Sequence, residues 1–402
     1  MERRKQNHVA KRALFFILLM SLTSLLSDLT HEGATSINGK FLSLLGVSAA
    51  TIGLVTGLGE FIGYGMRLLF GRITDKTRQY WLFIFVGYFV DLFAVPALAL
   101  VHEDGWIWAC ALIIIERFGK AIKKPSKNTL VSFSVTQIGT GKGFAILEVI
   151  DQLGAFLGPL VLFFTMSART DLSSFDMFRS AYSILLIPAV LTMVVLYIAW
   201  RKFPHPEDFE VEKEEEPQAF KWNKGFVYYI LAISFVAFGF IDFPIVTLHT
   251  ANLGAVPDTF LPLLYSGAML VDGVAAFLFG LYFDRKPKQA LILASAVSAL
   301  FPIFIFGLHS NVALYIGIFC WGAGLGAQES ILKAVVAELI PKNSRATGYG
   351  FFEFFFGISW FLGSWLLGAL YDYSIPLMIA ISTATQVVPV VLYSLSYKYS
   401  KE

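Results

Sequence analysis

The sequence predicts an all-α integral membrane protein with twelve transmembrane helices arranged in two pseudo-symmetric six-helix bundles. Three observations predict this fold. Apolar runs recur from end to end, one polar segment divides them into six and six, and the two sets resemble each other in sequence. Of the 402 residues, 56% are hydrophobic and 15% are charged, whereas about 25% of an average soluble domain is charged. Such a chain lacks the polar surface of a water-soluble fold.

Each predicted helix is an apolar run close to the roughly 20 residues that cross a bilayer. The first run is expected to be retained, because it is too long for a signal-peptide core and carries no small-residue cleavage site. No stretch between the runs is long enough for a separate soluble domain. The runs lie near 13–35, 48–71, 80–101, 105–128, 143–166, 179–201, 225–250, 258–282, 288–308, 311–338, 346–370 and 376–397.

A polar segment, 201–224, separates the sixth and seventh runs and contains three prolines and the acidic run Glu210–Glu216. Because this composition can neither cross a membrane nor build a core, it predicts a cytoplasmic linker. The linker joins an N-terminal bundle, 1–200, to a C-terminal bundle, 225–402.

The distribution of Lys and Arg predicts the orientation in the membrane. An even number of helices puts both termini on one side, and loops rich in Lys and Arg remain in the cytoplasm. We therefore expect a multi-pass protein of the cell membrane with both termini in the cytoplasm. The net charge of +2 predicts no nucleic-acid partner. The expected partners are a small-molecule substrate, protons and membrane lipids, and the chain is expected to be a monomer.

An internal repeat supports the two-bundle prediction, because both of its offsets keep the order of the helices. A chance match of short apolar segments is the alternative. Repeats of this kind place a solute site near the midplane between the halves. At an offset of 209, Gly71, Asp75 and Lys76 match Gly280, Asp284 and Arg285, and at an offset of 205, Gly143, Glu148 and Gly158 match Gly348, Glu353 and Gly363.

The segment Gly71–Arg78 resembles the signature loop between helices two and three of the major facilitator superfamily, although Thr77 stands where the pattern prefers glycine. A degenerate copy, Gly280–Lys286, lies where that superfamily repeats the loop. Further motifs resemble a prokaryotic branch of poorly assigned substrate: Ser27-Asp28-x-x-x-Glu32, Arg117–Lys120 and Gly154-x-x-x-Gly158-Pro159. The resemblance implies a secondary active transporter that moves a small solute by alternating access, with no enzymatic activity and no cofactor.

In that superfamily the signature loop is a cytoplasmic gate, and the resemblance implies the same role here. An aspartate that reaches a facing helix end, flanked by basic residues, forms a charge latch. A solubilising, positively charged loop is the alternative. Glu148 and Glu353 begin helices five and eleven, where a carboxylate favours the positive end of the helix dipole. The predicted gating residues are Asp75, Arg72, Lys76, Arg78, Asp284, Arg285, Glu148 and Glu353.

The helix-five motif is predicted to serve helix packing. Gly154 and Gly158 let another backbone approach, and Pro159 permits bending. In the superfamily a fuller version accompanies antiporters. Because Leu160 and Val161 follow the proline here, the motif favours export over uptake by only a small margin, and close packing alone explains it equally well.

Eleven acidic residues but only four basic residues, Arg67, Arg117, Lys120 and Lys333, are expected inside the hydrocarbon part of the predicted helices. A charge in hydrocarbon is costly, so each is a functional candidate. Acids in such excess cannot all be paired, and some must face water, bind a cation or stay protonated. Because a carboxyl that gains and releases a proton is what proton coupling requires, we expect a proton-coupled carrier of a cationic or zwitterionic solute, either antiporter or symporter.

Spacing ranks the candidates for substrate contact and proton coupling. Asp28 and Glu32 share one face of helix one and come first, whereas the intervening His31 is expected to point away from Glu32. Asp242 comes second. The alternative is that Asp242 is a structural residue whose hydrogen bonds are satisfied by neighbouring helices. In helix four, Glu116 is expected to pair with Lys120, which leaves Arg117 without a partner. The full set is Asp28, Glu32, Asp242, Arg117, Glu60, Asp91 and Glu116.

No catalytic residue and no metal site is predicted. His31-Glu32 alone is not a zinc site, and Gly139–Gly143 lacks the glycine spacing and the hydroxyl of a phosphate loop. The rival hypothesis is a membrane-embedded lipid scramblase or enzyme that uses Asp28, His31 and Glu32. The basic residues at the end of helix four are expected to anchor cytoplasmic lipid headgroups; they are Lys120, Lys123, Lys124 and Lys127.

Overall fold

A computed structural model describes residues 2–209, 222–340 and 344–399. Over these ranges the chain folds into fourteen α-helices and contains no β-strand. The helices are α1 Glu2–Leu44, α2 Ala49–Thr77, α3 Tyr80–Ala97, α4 Trp106–Val135, α5 Thr140–Ser167, α6 Ser174–Ile184, α7 Leu186–Lys202, α8 Lys224–Gly239, α9 Phe243–Asn252, α10 Leu261–Arg285, α11 Pro287–Ser298, α12 Asn311–Leu339, α13 Arg345–Tyr373 and α14 Ile375–Tyr399.

The fourteen helices form twelve spans over the described ranges, which confirms the predicted number. Helices α6 and α7 form one span interrupted at Leu185, and α8 and α9 form another. Nine of the twelve spans are long and apolar enough to cross a membrane by length and composition. The remaining three, α2, α4 and α12, are equally long but carry charged residues along their length.

The seventh span is interrupted between α8 and α9. Phe240 and Asp242 have extended backbone angles, and Pro244 lies in the first turn of α9. Proline has no N–H and suits the start of a helix rather than its interior. The indole Nε1 of Trp321 donates to the freed carbonyl of Ile241 at 2.9 Å. A neighbouring side chain thus satisfies a backbone group that lipid could not.

Some predicted helix ends are wrong. The first helix was expected to end near residue 35 but continues to Leu44, and the fourth was expected to end near 128 but continues past Pro125 to Val135. Both extensions carry polar side chains that are buried in the protein, such as Ser36 and Ser134. The ends of the apolar runs therefore do not mark the ends of the helices.

Contacts divide the chain into two compact units. The first contains Met1–Thr35 and Met66–Glu214, and the second contains Ser36–Gly65 and Glu215–Glu402. Helices α1 and α2 therefore contribute one part to each unit. The predicted limits of the two bundles stay a prediction, and the acidic run of the predicted linker lies outside the described residues.

Candidate functional site

Helix α1 carries a polar face into the first unit. Between residues 21 and 35 its buried polar side chains are Ser21, Thr23, Ser24, Ser27, Thr30, His31 and Thr35. Several of the hydroxyls donate to a backbone carbonyl one turn earlier, as Thr30 does to Leu26 at 3.1 Å. These bonds satisfy the hydroxyls within the helix. The charged groups of the first unit gather around this face.

His31 lies between two carboxylates. Its Nδ1 contacts Oε1 of Glu116, and its Nε2 lies 3.6 Å from Oε1 of Glu32. Oε2 of Glu116 lies 3.3 Å from Nε of Arg117. Since His31 and Glu116 are 4% and 5% exposed, these charges interact in a medium that screens them poorly.

Three predictions about these residues are wrong. His31 does not point away from Glu32, Glu116 contacts His31 and Arg117 rather than Lys120, and Arg117 has a partner. The expected pairs were drawn along a single helix. The packing of α1 against α4 brings His31 to Glu116 and replaces the intrahelical pair.

Lys123 forms a second group with Asp91 of α3. Its ammonium contacts the carboxylate Oδ2 of Asp91 and donates to Oγ of Ser27 at 2.9 Å. It also lies 4.0 Å from the ring centre of Tyr88, within the range of a cation–π contact. Asp91 is 1% exposed and Lys123 is 6% exposed, so this is a buried ion pair.

Lys127 extends the network towards α5. Its ammonium contacts Oγ of Ser24 and lies 3.8 Å from Oδ2 of Asp151. The prediction that Lys123 and Lys127 anchor lipid headgroups is wrong, because both ammonium groups point into the first unit. The predicted excess of buried acids is correspondingly smaller there.

Asp28 differs from the acids that hold Lys123, His31 and Lys127 in the first unit. It is half-buried, and its carboxylate makes no hydrogen bond and no ion pair with the part of the chain that the structure describes. Lysines of α4 act on it electrostatically from a longer distance, with Lys120 the strongest. Its carboxylate therefore lacks the close partners that hold Asp91, Glu116 and Asp151.

Asp242 lies in the second unit, at the interruption of the seventh span, and its carboxylate is saturated with donors. Thr56 Oγ1 donates to it at 2.9 Å and Trp360 Nε1 at 2.7 Å, and the hydroxyl of Ser364 donates to the same oxygen as Thr56. Glu60 of α2 is half-buried and acts on Asp242 electrostatically. Three donors support the packing alternative for Asp242 more than a role in binding a proton.

The predicted gating residues of α2 and α10 lie near the ends of their helices. The prediction that Glu148 and Glu353 begin their helices is wrong, because each lies about two turns inside α5 or α13. Asp75 is exposed near the end of α2 and makes no hydrogen bond or ion pair with any described residue. Arg78 ends that helix with φ 53°, and its N–H donates to the Thr74 carbonyl at 2.7 Å. The gating roles stay a prediction. Of the other members, Arg72, Lys76, Asp284, Arg285 and Glu148 are exposed and Glu353 is half-buried.

The helix-five glycines pack against α1. A Cβ atom on Gly154 would lie 2.4 Å from the carbonyl oxygen of Leu25, and one on Gly158 would lie 2.3 Å from that of Leu29. Both distances are too short for any side chain. The close backbone approach that the motif predicts is present, and its partner is α1. Pro159 lies inside α5, which continues past it.

Three of the buried side chains could hold a metal ion together. His31, Asp91 and Glu116 come from three helices, and one ligand atom of each lies within 4.8 Å of the others. No sequence motif joins them, because they are dispersed over 86 positions of the chain. Nothing in the spacing of the sequence could have predicted this group.

A family model described as Major Facilitator Superfamily matches residues 13–364 and 230–400. The chain belongs to the major facilitator superfamily. It is 33% identical over 384 residues to an uncharacterized protein of Mycobacterium tuberculosis, which covers 94% of this chain and 91% of the relative. It is 26% identical over 376 residues to an uncharacterized MFS-type transporter of Methanocaldococcus jannaschii, which covers 89% of both chains.

Solved structures of the superfamily share the fold. The nucleoside transporter NupG superimposes with a TM-score of 0.75 at 13% identity, covering 95% of this chain and 100% of that chain. The xylose transporter XylE from E. coli gives a TM-score of 0.72 at 14% identity, covering 95% and 96%. The family and these neighbours are transporters and not enzymes. This chain is therefore a multi-pass membrane transporter of a small molecule.

Proposed function

We propose that this member of the superfamily couples solute movement to protons, with Asp28 as the carboxyl that gains and releases the proton. The single observation that carries the proposal is the setting of Asp28: a half-buried acid on the polar face of α1, without a hydrogen bond or ion pair to the described residues. A coupling group must be reachable by protons and must change its charge during the cycle.

The groups that face Asp28 set its response to pH. They are the α4 lysines Lys120, Lys123, Lys124 and Lys127, and Asp151 of α5. Lys123 and Lys127 have partners of their own, whereas Lys120 has no hydrogen bond or ion pair among the described residues. Protonation of Asp28 would therefore leave the Lys120 charge unbalanced. The same step would make Lys120 available to an anionic group of the solute.

The other candidates support this choice by contrast. Asp91 holds Lys123, Glu116 holds His31 and Arg117, and Asp242 accepts from three donors. A carboxylate with such partners would have to break these contacts in order to change its charge during a transport cycle. The buried lysines Lys123 and Lys127 also reduce the excess of acids on which the expectation of a cationic solute rested.

The direction that we propose is export across the cell membrane, with both termini in the cytoplasm. Its support is the resemblance of Gly154-x-x-x-Gly158-Pro159 to the antiporter motif and the close contact of these glycines with α1. The scramblase alternative has no observation in its favour, and the superfamily membership argues for solute transport.

Transport in vesicles tests the coupling. Purified protein would be reconstituted with a pH-sensitive dye in the lumen, and nucleosides, pentoses, short peptides and organic cations would be added under an imposed pH gradient. We expect at least one solute to move protons in the wild type. Asp28→Asn should lose gradient-driven flux but keep solute exchange at equal pH, because exchange needs no net proton movement. Flux in the wild type that ignores the gradient would refute the coupling.

A matched control separates charge loss in general from charge loss at this site. Asp171 lies exposed in the connection between α5 and α6. The Asp171→Asn variant removes the same charge from the same residue type, and it should keep gradient-driven flux at the wild-type rate. Equal losses in both variants would show that Asp28 has no special role.

A further inference from the structure

The group formed by His31, Asp91 and Glu116 is not used by the coupling proposed for Asp28. The three side chains are 4%, 1% and 5% exposed, and they project from α1, α3 and α4. One nitrogen or oxygen of each lies within 4.8 Å of the others. Ligand atoms about 2.1 Å from a common cation lie about 3 to 4 Å apart, so the three side chains can share an ion once the direct contact of Glu116 Oε1 with His31 Nδ1 opens.

Two oxygens in this group lack hydrogen-bond donors. Oδ1 of Asp91 and Oε1 of Glu116 are excluded from solvent and have no hydrogen-bond partner. Oε1 of Glu116 contacts His31 Nδ1 without the geometry of a hydrogen bond. A buried carboxylate oxygen without a donor is costly and requires an explanation. One cation bound between the three side chains would satisfy both oxygens together.

The second oxygen of each carboxylate is already occupied. Lys123 contacts Oδ2 of Asp91, and Nε of Arg117 lies 3.3 Å from Oε2 of Glu116. Glu32 lies 3.6 Å from Nε2 of His31. Metal ligands are commonly oriented in this way, by charged partners on the atoms that do not bind the ion. These partners fix which oxygen of each carboxylate points to the shared space.

We propose that His31, Asp91 and Glu116 form a binding site for a divalent transition-metal cation of the Mn²⁺, Fe²⁺ or Zn²⁺ class. One imidazole nitrogen and two carboxylate oxygens are ligands that these borderline ions accept, whereas Mg²⁺ and Ca²⁺ prefer oxygen ligands alone. The charge of the ion adds to those of Lys123 and Arg117, which already contact the two carboxylates. Three protein ligands leave coordination positions open for water or for a group of the solute.

Metal binding by the full-length protein tests the site. Purified protein would be stripped with a chelator and titrated with Mn²⁺, with free Mn²⁺ followed by electron paramagnetic resonance. We expect one Mn²⁺ per chain in the wild type and in the control Asp171→Asn. Loss of a ligand in His31→Gln, Asp91→Asn or Glu116→Gln should weaken binding by about tenfold or more. Absence of binding in the wild type, or equal binding in all variants, would overturn the proposal.

A second measurement uses only the wild-type protein, so it does not depend on whether a variant folds. Electron spin echo modulation of Mn²⁺ bound to the wild type should show coupling to an imidazole nitrogen, and a spectrum without nitrogen coupling would overturn the site. A dye inside vesicles that is quenched by Mn²⁺ then distinguishes a transported ion from a resident one. Failure of Asp28→Asn to alter proton flux would leave these results intact, because Asp28 is not a proposed ligand.

Discussion

At the scale of single residues, the buried ion pair of Asp91 and Lys123 shows why a charge count from sequence can mislead. Lys123 was grouped with the basic residues of a helix end, because four lysines lie within eight positions. Its stem instead passes through the first unit and its ammonium reaches Asp91 of another helix. A sequence shows that acids and bases are both present, but not which helices pack face to face.

Replacing one partner of this pair should cost more stability than replacing both partners. Lys123→Met or Asp91→Asn leaves one partner without compensation, and such losses cost about 3 to 5 kcal/mol. The double variant has no buried charge left to compensate and should be more stable than the sum of the two losses predicts. Thermal unfolding in detergent, followed by tryptophan fluorescence with chelator present, measures all four proteins without any contribution of bound metal.

An exposed ion pair provides the control for this cycle. Arg179 and Asp176 lie 3.4 Å apart with side-chain exposures of 34% and 53%. Exposed pairs contribute about 1 kcal/mol or less, so Asp176→Asn should change stability little. If the losses from Asp91→Asn and Lys123→Met simply add in the double variant, the two groups do not interact and the pair is not formed.

At the scale of helices, hydrophobicity predicted the number of spans but not their continuity. The apolar run at 225–250 is unbroken in composition, yet the chain there is interrupted at Phe240–Asp242, with Pro244 as the local signal. Helix α4 is the opposite case, since it continues through Pro125 to Val135. A proline in the local sequence therefore does not decide by itself whether a helix is interrupted.

The glycines of α5 give a prediction that belongs to this scale. Gly158→Ala places a Cβ atom 2.3 Å from the backbone oxygen of Leu29, so α5 and α1 must separate. Overpacking of this kind costs about 1 to 3 kcal/mol. We therefore expect a lower unfolding temperature in detergent. Because α1 carries Asp28 and His31, the variant should also transport more slowly in vesicles.

Gly267 is the matched control for that substitution. It lies in α10 with no neighbouring atom within 4 Å of an added Cβ. Since alanine favours a helix over glycine by up to about 1 kcal/mol, Gly267→Ala should leave stability unchanged or raise it. A Gly158→Ala protein as stable as the wild type would show that the two helices are not in close contact.

At the scale of the whole molecule, the distribution of charge predicts the orientation that the fold alone does not. The connection after α2 contains Arg78, and the connection after α10 contains Lys286. Neither Lys nor Arg occurs in the four residues between α1 and α2 or in the single residue between α13 and α14. Positively charged loops resist translocation. The termini and the connections after α2 and α10 are therefore expected in the cytoplasm.

Reporter fusions in a bacterial host measure this orientation directly. Alkaline phosphatase folds only outside the cytoplasm, so a fusion at Asp171, in the connection between α5 and α6, should be active. A fusion to the C-terminus should be inactive, and green fluorescent protein at the same place should fluoresce. A fusion at Lys286 serves as a second cytoplasmic point. Phosphatase activity at the C-terminus would reverse the predicted orientation, and activity at Lys286 would do the same.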